Sequence, residues 1–288
     1  MVITEGHEET ESMRNERRTT EQVREHYEIE KELAAKLRSA SRQERRHLYT
    51  SLYNELFQRV PHHTQLTHKS SPEERKVTIS EQMKFLHRFL SNGSTFLEVG
   101  PGDCAMSLEV AKHVKQVYAV DVSNEITGGL AHPRNFQLVI SDGCSIPVPK
   151  RSIDVAYSNQ LMEHLHPDDA YDQLQNIYNA LTDGGVYVCI TPSRLNGPHD
   201  VSRHFDRVAT GFHLKEYSIS ELKDLFRKVG FLKIRAYVGA RGVYVRFPLF
   251  PLLLCEAILS VLPYAWRKPI ALSPLFRLLL GVRLAGTK

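Results

Sequence analysis

The sequence predicts an α/β fold built on a doubly wound, mostly parallel sheet of seven strands. Three observations support this prediction. Short apolar and β-branched runs recur along the chain, as expected for buried parallel strands. A glycine-containing turn directly follows the first of these runs, and a carboxylate ends the second. At 288 residues, the chain can bury one large core with additional elements at both ends.

Two segments precede the predicted sheet. Residues 1–20 are rich in Glu, Arg and Thr, and we expect them to form a disordered tail. Residues 21–92 form a helical region, because apolar residues recur at helical spacing as far as Pro61, which ends the pattern. A further helix is predicted over 80–90. The sheet and its ligand site are then expected within residues 93–288.

The first two predicted strands enclose the most informative motif of the chain. The first strand leads into a turn that contains Gly100, Pro101 and Gly102. The two glycines have no Cβ, so the backbone can turn sharply there and a ligand can approach it closely. Asp121 ends the second strand about 20 residues after Gly100, the spacing at which a βαβ unit places a carboxylate beside a bound ribose. The motif therefore predicts an adenosine-containing cofactor.

Two classes of cofactor fit this turn. A nicotinamide dinucleotide needs a pyrophosphate seat at a helix N-terminus, and Gly100, Gly102 and Ala105 have the G-x-G-x-x-A spacing. S-adenosylmethionine instead carries a sulfonium, an amino group and a carboxylate, and Glu98 suits that cationic end. Asp103 inside the turn would repel a pyrophosphate. The acids favour S-adenosylmethionine, and an NAD(P)-dependent oxidoreductase is the alternative.

The remaining strands follow in an order that completes the sheet. A third apolar run ends just before Asp142 and Gly143, and a fourth ends at Asn159. These polar residues therefore lie at the carboxyl ends of their strands, where open α/β sheets bind ligands. Three later strands are predicted at residues 186–192, 231–238 and 279–286. A helix is predicted over residues 220–229, with Gly230 as its C-terminal cap.

The E-x-G-x-G motif from Glu98 to Gly102, the downstream Asp121 and this strand order resemble the small-molecule type of class I S-adenosylmethionine-dependent methyltransferases. The resemblance covers residues 80–240 and the last strand. It implies a Rossmann-like methyltransferase fold and N-terminal helices that cover the site. The cofactor-binding residues that it implies are Glu98, Gly100, Pro101, Gly102, Asp121, Val122, Asp142, Gly143 and Asn159. The third glycine common in this turn is replaced by Cys104, a departure that is tolerable if the backbone there keeps a negative φ and that slightly weakens the match.

A long polar loop follows the fifth predicted strand, over residues 192–217, and it is a candidate acceptor site. A hydroxyl acceptor would need a base with a pKa near the working pH, which favours histidine. The candidates are His164, His199 and His204, with His213 as a further one, and the sequence does not choose among them. The alternative is a solvated loop whose polar side chains satisfy its own turns.

No metal site is predicted. His199 with Asp200 or His204 matches no ligand-spacing template. The adjacent His62 and His63 have no cysteine or carboxylate close to them in the sequence, and we expect both on the surface.

An apolar segment at residues 247–280 lies between the last two predicted strands. Glu256 and five prolines interrupt it, so it cannot supply the ~20 continuous apolar residues of a spanning helix. Three roles are open for it. It could form a hydrophobic acceptor pocket or lid, lie in a membrane interface with Arg267, Lys268 and Arg277 at the headgroups, or pack against the sheet or a dimer partner.

Composition narrows the function. The net charge of +4 is too small to favour a nucleic acid substrate. Four cysteines without a C-x-x-C motif predict reduced thiols in a cytoplasmic protein. We therefore predict a methyltransferase for a small acceptor, and the apolar segment leaves a lipophilic acceptor and membrane association open. A noncatalytic S-adenosylmethionine- or nucleotide-binding module on the same fold is a further alternative, and the oligomeric state is not specified.

Overall fold

The computed structural model describes residues 18–67, 71–122 and 132–288, so most of the predicted disordered tail lies outside the described residues. Within these ranges the strands are β1 Thr95–Val99, β2 Gln116–Asp121, β3 Phe136–Ile140, β4 Ile153–Asn159, β5 Leu181–Thr191, β6 Lys233–Ala240, β7 Val243–Phe247 and β8 Val282–Thr287.

The strands form one sheet in the order β3-β2-β1-β4-β5-β8-β6-β7. The pairs along β3, β2, β1, β4 and β5 are all parallel. The pairs β5–β8, β8–β6 and β6–β7 are antiparallel. This confirms the predicted mostly parallel sheet, and it places the carboxyl ends of β1, β2 and β4 side by side.

The sheet differs from the prediction at its antiparallel edge. Among the described residues there are eight strands rather than seven, because β7 forms a hairpin with β6. Arg241 and Gly242 both have positive φ between the paired residues Ala240 and Val243, as a two-residue hairpin turn requires. The last strand begins at Val282, because the residues just before it continue a helix.

The described helices are α1 Thr20–Ser39, α2 Arg42–Arg59, α3 Thr64–Thr67, α4 Pro72–Leu86, α5 Ala105–Val110, α6 Pro167–Ala180, α7 Ile219–Val229, α8 Leu249–Val261, α9 Tyr264–Leu272 and α10 Pro274–Leu280. The predicted N-terminal helical region is divided at Ser41, which caps α2 together with Glu44 in a capping box. The helix predicted over 80–90 begins earlier, at Pro72, and its N-terminus is capped by a capping box of Ser71 and Glu74.

Helices cover both faces of the sheet. Consecutive residues of β1 point to opposite faces, so Phe96 packs in a core with α4 and α5, whereas Leu97 packs with α1, α2, α6 and α7. Both side chains are fully buried. The N-terminal helices α1 and α2 therefore share one apolar core with the sheet.

A buried ion pair fixes α2 above the sheet. The Arg45 Nε and Nη2 atoms lie 2.5 and 2.9 Å from the two carboxylate oxygens of Asp169 on α6. The Tyr49 hydroxyl donates to the same carboxylate at 2.6 Å and accepts from the His166 backbone at 3.0 Å. Burial alone would raise the pKa of Asp169, but the bonds from Arg45 and Tyr49 lower it. This network holds the Tyr49 face of α2 over the carboxyl ends of the strands.

The predicted apolar segment folds mainly into α8, α9 and α10. Leu259, Ala271 and Leu280 pack with Leu195 of the loop after β5. The carboxylate of Glu256 accepts from the Ile219 and Ser220 backbone N–H groups at 2.6 and 2.9 Å, at the start of α7. Within the described ranges, no helix combines the length and apolarity needed to cross a membrane.

Candidate functional site

A cavity of about 600 Å³ opens at the carboxyl ends of β1 and β2. Five of the predicted cofactor-binding residues line it, namely Gly100, Gly102, Asp121, Val122 and Gly143. The facing wall comes from α2 and includes Tyr49, Thr50, Tyr53, Asn54 and Phe57. The structure therefore places α2 over this cavity, as the resemblance implies for the N-terminal helical region.

The glycine turn has the geometry that close approach of a ligand requires. Gly100 and Gly102 have φ of 70° and 56°, in the left-handed region. A Cβ on Gly100 would lie 2.9 Å from a methyl carbon of Leu161, so a larger residue would clash there. A Cβ on Gly102 would meet no atom within 4 Å, because this position borders the open cavity.

Cys104 does not meet the condition of a negative φ. Its φ is 56°, in the left-handed region. A non-glycine residue there costs about 1–2 kcal/mol of backbone energy. The Cys104 N–H donates to the Pro101 carbonyl at 3.0 Å, and the side chain is fully buried in the α4–α5 core. Burial of the thiol offsets this strain.

Two carboxylates give the glycine turn a negative potential. Glu98 is buried, accepts from the Ser107 hydroxyl, and forms no ion pair with a cationic side chain of the described residues. Burial, with smaller effects from Asp103 and Asp121, raises the pKa of Glu98 to about 7. The two carboxylate oxygens of Asp121 accept from the Val122 and Gly102 backbones at 2.7 and 3.3 Å. These acids suit a ligand with an ammonium group and vicinal hydroxyls.

The other predicted cofactor residues do not line the cavity. Pro101 lies in the glycine turn, Asn159 is the last residue of β4, and Glu98 lies within β1, just before the turn. Asp142 accepts from the Ser145 backbone at 2.7 Å and lies 3.6 Å from the Arg46 guanidinium. Burial would raise the pKa of Asp142, but the hydrogen bonds from its own loop lower it. Asp142 therefore organises the loop beside the cavity.

A second, polar cavity of about 290 Å³ adjoins the first. Tyr53 and His164 line both cavities and form the wall between them. The polar cavity is lined by all four candidate histidines, His164, His199, His204 and His213. Two histidines from the N-terminal region, His26 and His63, also line it. The structure thus brings the candidate bases together at one place.

The surface position expected for His63 is wrong. Its side chain is buried, with its ring centroid 4.6 Å from that of His26 and 5.2 Å from that of Phe57. Burial lowers the pKa of His63 to about 4, so the imidazole is neutral at physiological pH. His62 is half-buried, and its ring nitrogen lies 2.9 Å from the Gln22 carbonyl. The packing of α1 on α2 creates this environment, which local sequence does not show.

The hydrogen bonds of His164 and His213 set their ionisation. Burial lowers the pKa of His164 to about 3, and its Nδ1 lies 2.8 Å from the Tyr53 hydroxyl and 3.1 Å from the Phe212 carbonyl. Burial also lowers the pKa of His213, but its Nδ1 lies 2.8 Å from Glu216 Oε1, and this carboxylate raises the pKa above its usual value. His213 is therefore the candidate with a carboxylate partner.

His199 and His204 are bound within their own loop. His199 Nε2 lies 2.9 Å from Asn196 Oδ1 and 3.1 Å from the Ser193 carbonyl, and burial lowers its pKa. His204 Nε2 accepts from Arg203 Nε at 3.0 Å. In this arrangement the Nε2 atoms of both rings already have loop partners.

Glu163 is a site residue that the sequence analysis missed. Its side chain is fully buried, and it lines the polar cavity. Oε2 accepts from the Thr191 hydroxyl at 2.8 Å, whereas Oε1 has no hydrogen-bond partner among the described residues. Burial raises the pKa of Glu163 to about 7. The sequence signal that could have identified Glu163 is an acid within the short apolar run that follows β4.

Two groups of residues in the polar cavity are close enough together to hold a metal ion. His26, Glu30 and His63 form one, and Glu163, His164 and His213 form the other, with ligand atoms within 4.8 Å of one another in each. Imidazole and carboxylate are common ligands of zinc. In the first group a bond of 2.7 Å already joins His26 Nε2 to Glu30 Oε2.

The apolar segment does not contribute to either of these two cavities, because no residue from 247 to 280 lines them. Its role as a lid or as another pocket therefore stays a prediction. Its contact with the site is indirect, through the loop that carries Leu195 and His199.

Comparison with solved structures shows that known methyltransferases share this fold. The chain is similar to a methyltransferase solved in complex with the Trm112 activator of Haloferax volcanii, with 16% identity, a TM-score of 0.52, and coverage of 74% of this chain and 91% of the other. An S-adenosylmethionine-dependent methyltransferase of Mesorhizobium loti has 13% identity and a TM-score of 0.50, with coverage of 74% of this chain and 100% of the other. A Haemonchus contortus phosphoethanolamine N-methyltransferase in complex with S-adenosyl-L-methionine has 17% identity and a TM-score of 0.45, with coverage of 72% of this chain and 52% of the other.

A search of curated protein sequences gave no significant match. The family model described as a methyltransferase domain matches residues 73–235, which is more than half of the chain. That span contains the glycine turn, Asp121 and all the histidines of the polar cavity except His26 and His63. The chain therefore belongs to the class I S-adenosylmethionine-dependent methyltransferase family, and its cofactor is S-adenosylmethionine.

Proposed function

We propose that this protein transfers a methyl group from S-adenosylmethionine to a small protic acceptor in the polar cavity. The observation that supports this most directly is that Tyr53 and His164 line both cavities, so the two sites share a wall. The bound cofactor supplies a methyl group already activated on a positively charged sulfur. The protein then has to position the acceptor, exclude water and accept a proton.

The residues of the larger cavity fit the parts of this cofactor. Asp121 ends β2 at the cavity and would accept hydrogen bonds from the ribose hydroxyls. Glu98 does not line the cavity, but it is a buried acid two residues before Gly100 and has no cationic partner among the described residues, so we propose that it pairs with the amino group of the bound cofactor. The turn at Gly100 and Gly102 leaves room for close backbone approach. We propose that Val122, Gly143 and the loop of Asp142 adjoin the adenosine.

The affinity for S-adenosylmethionine is expected to increase with pH through about 7. The pKa of Glu98 is about 7 in the free protein, and only the ionised form attracts an ammonium. Below that pH, proton release must accompany binding, so the affinity should fall by up to about tenfold per pH unit. Calorimetry across this range checks the slope. Glu98→Gln should bind more weakly and without this dependence, and a flat wild-type profile contradicts the role.

We propose His213 as the general base for the acceptor. Glu216 orients the ring and strengthens it as a base, as carboxylates do for histidines in other proton-transfer sites. Glu163 Oε1 is a buried acceptor without a described partner, so it would accept a hydrogen bond from the protic group of the substrate. His164 would shape the wall, while His199 and His204 would support the loop.

The pH profile of methyl transfer tests this assignment. The base must be neutral, so the rate should fall as the pH drops through the pKa of His213, which lies above its usual 6.5. Glu216→Gln removes the carboxylate that raises this pKa. The acid limb of the variant should therefore move to lower pH, with a lower plateau rate. An unshifted acid limb would assign the titration to another group.

The function itself is tested with radiolabelled S-adenosylmethionine and fractionated metabolites, lipids and RNA. Label in a small-molecule fraction supports the proposal, and label in RNA contradicts it. Binding without transfer to any fraction would identify a noncatalytic module. Transfer should survive treatment with a metal chelator, because the proposed base is an imidazole, and loss of transfer would favour a metal at Glu163, His164 and His213.

We place this reaction in the cytoplasm. The four cysteines are unpaired, and Cys104, Cys144 and Cys189 are buried. Unpaired thiols are typical of proteins from reducing compartments.

A further inference from the structure

Helix α8 has two apolar faces, and the fold uses only one of them. Leu252, Glu256 and Leu259 are buried and face the protein, at helical spacing. The opposite stripe has the spacing i, i+4, i+8 and i+11, and it consists of Phe250, Leu254, Ile258 and Val261, which are 76%, 49%, 54% and 81% exposed. A globular protein normally has charged or polar residues on such a face.

Helices α9 and α10 add further exposed apolar residues. Trp266, the only tryptophan of the chain, is 67% exposed on α9, and Ile270 follows one turn later. Leu275 and Leu278 are exposed on α10, three residues apart. We call the exposed apolar residues of α8, α9 and α10 the outer face.

The outer face differs from the rest of the described surface. Its eight members fall within 29 residues, from Phe250 to Leu278. Apart from Val243 and Val245 on the neighbouring edge strand β7, the other exposed large apolar residues of the described ranges are scattered singly, and they are Leu66, Val77, Ile140, Val208 and Leu232. Scattered residues are normal on a soluble protein, whereas a dense group on three helices that contact one another indicates a binding surface.

The charged residues within and just before this segment are almost all basic. Between residues 241 and 280 there are five basic residues, Arg241, Arg246, Arg267, Lys268 and Arg277, and one acid, Glu256. Glu256 is buried at the start of α7. Arg241, Arg246 and Arg277 are exposed, whereas Arg267 and Lys268, which follow Trp266, are half-buried. The segment therefore presents exposed basic groups and no exposed acid.

We propose that the outer face docks this protein onto an anionic membrane surface, with α8, α9 and α10 lying in the interface. Apolar side chains insert at the headgroup boundary, tryptophan favours that boundary, and basic groups bind anionic lipid. A helix of 13 residues such as α8 is about 20 Å long, which suits an in-plane position. A second copy is disfavoured, because a two-fold interface would bring the basic groups of both copies together.

The docking helices also support the polar cavity. Lys268 donates to the Asn196 carbonyl at 3.3 Å and to the Gly197 carbonyl. Leu195, just before these residues, packs against α8, α9 and α10. The loop continues into His199, which lines the polar cavity. The proposed membrane contact and the acceptor loop are therefore parts of one packed unit.

Sedimentation with lipid vesicles tests the proposal, with the full chain and without cofactor or acceptor. The wild type should bind phosphatidylglycerol-containing vesicles at low ionic strength and bind phosphatidylcholine vesicles more weakly. The double variant Leu254→Glu, Ile258→Glu should bind at least about tenfold more weakly, because charge replaces inserted apolar groups. Arg277→Gln should weaken binding by about fivefold, the contribution of one basic residue near an anionic surface.

The matched control is Val208→Glu, Leu232→Glu, which places the same charges at residues that are 67% and 82% exposed elsewhere. This control variant should retain most of the wild-type binding to anionic vesicles. Equal midpoints of thermal unfolding for the two double variants would show that both are folded. Absence of wild-type binding, or equal binding by the outer-face variant, overturns the proposal. A dimer that this variant dissociates, without vesicle binding by the wild type, would instead assign the outer face to self-association. None of these results depends on methyl transfer.

Discussion

Asp121→Ala is expected to weaken S-adenosylmethionine binding by tenfold to more than a hundredfold while leaving the fold intact. Loss of hydrogen bonds to a charged group costs about 1.5–3 kcal/mol, and this converts to that range of affinity. The side chain is at the end of β2, half-buried, and lines the cofactor cavity. In the free protein its carboxylate accepts hydrogen bonds from the Val122 and Gly102 backbones, which lie just after β2 and in the glycine turn rather than within the strand ladder.

Calorimetry with the purified variant measures this loss. Asp183→Ala is a suitable control, because Asp183 is exposed and pairs with Arg151 on the surface. The control should bind the cofactor as the wild type does. A folded Asp121→Ala protein with unchanged affinity would remove Asp121 from the cofactor site.

His213→Ala is expected to lower kcat for a hydroxyl acceptor by about 10²–10⁴-fold, the usual contribution of a general base. Cofactor affinity should stay near the wild-type value, because His213 lines the polar cavity and not the cofactor cavity. His213→Gln keeps a polar side chain but cannot accept the proton at neutral pH, so it should be nearly as slow. Single-turnover rates with saturating cofactor separate this effect from binding.

Two other histidines serve as comparisons in the same assay. His47→Ala changes an exposed residue of α2 and should have no effect. His199→Ala should alter acceptor KM more than kcat, because the ring binds Asn196 and the Ser193 carbonyl within the loop. A kcat of His213→Ala close to that of the wild type would show that His213 is not the base.

The sheet was predictable because its determinants are local. The third strand, Phe136–Ile140, ends just before Asp142, as the apolar run predicts. The glycine turn and Asp121 are where a βαβ unit requires them. The N-terminal capping boxes at Ser41 and Ser71 are also short sequence patterns. The hairpin of β7 escaped prediction because its Arg-Gly turn lacks the common Asn-Gly or Asp-Gly pair, and its residues lie inside or beside an apolar segment.

The polar cavity was only partly predictable. The candidate histidines could be named, because they follow strand ends and that edge of the sheet binds ligands. Their differences depend on partners that the sequence does not reveal, such as Glu216 for His213 and Tyr53 for His164. His63 was misplaced because its burial depends on helices α1 and α2 folding against the loop that contains Phe212.

The sequence by itself determined the family, the cofactor and the position of the glycine turn, since each depends on residues close together along the chain. Only the tertiary structure decided which groups ionise and which surfaces remain exposed. Burial of Glu163 raises its pKa to about 7, and burial of His164 lowers its pKa to about 3. The pattern of α8 likewise shows two apolar stripes, and packing against α7 and the acceptor loop determines which one is left at the surface. Desolvation and exposure depend on contacts between distant segments, so the fold had to be known before either could be assigned.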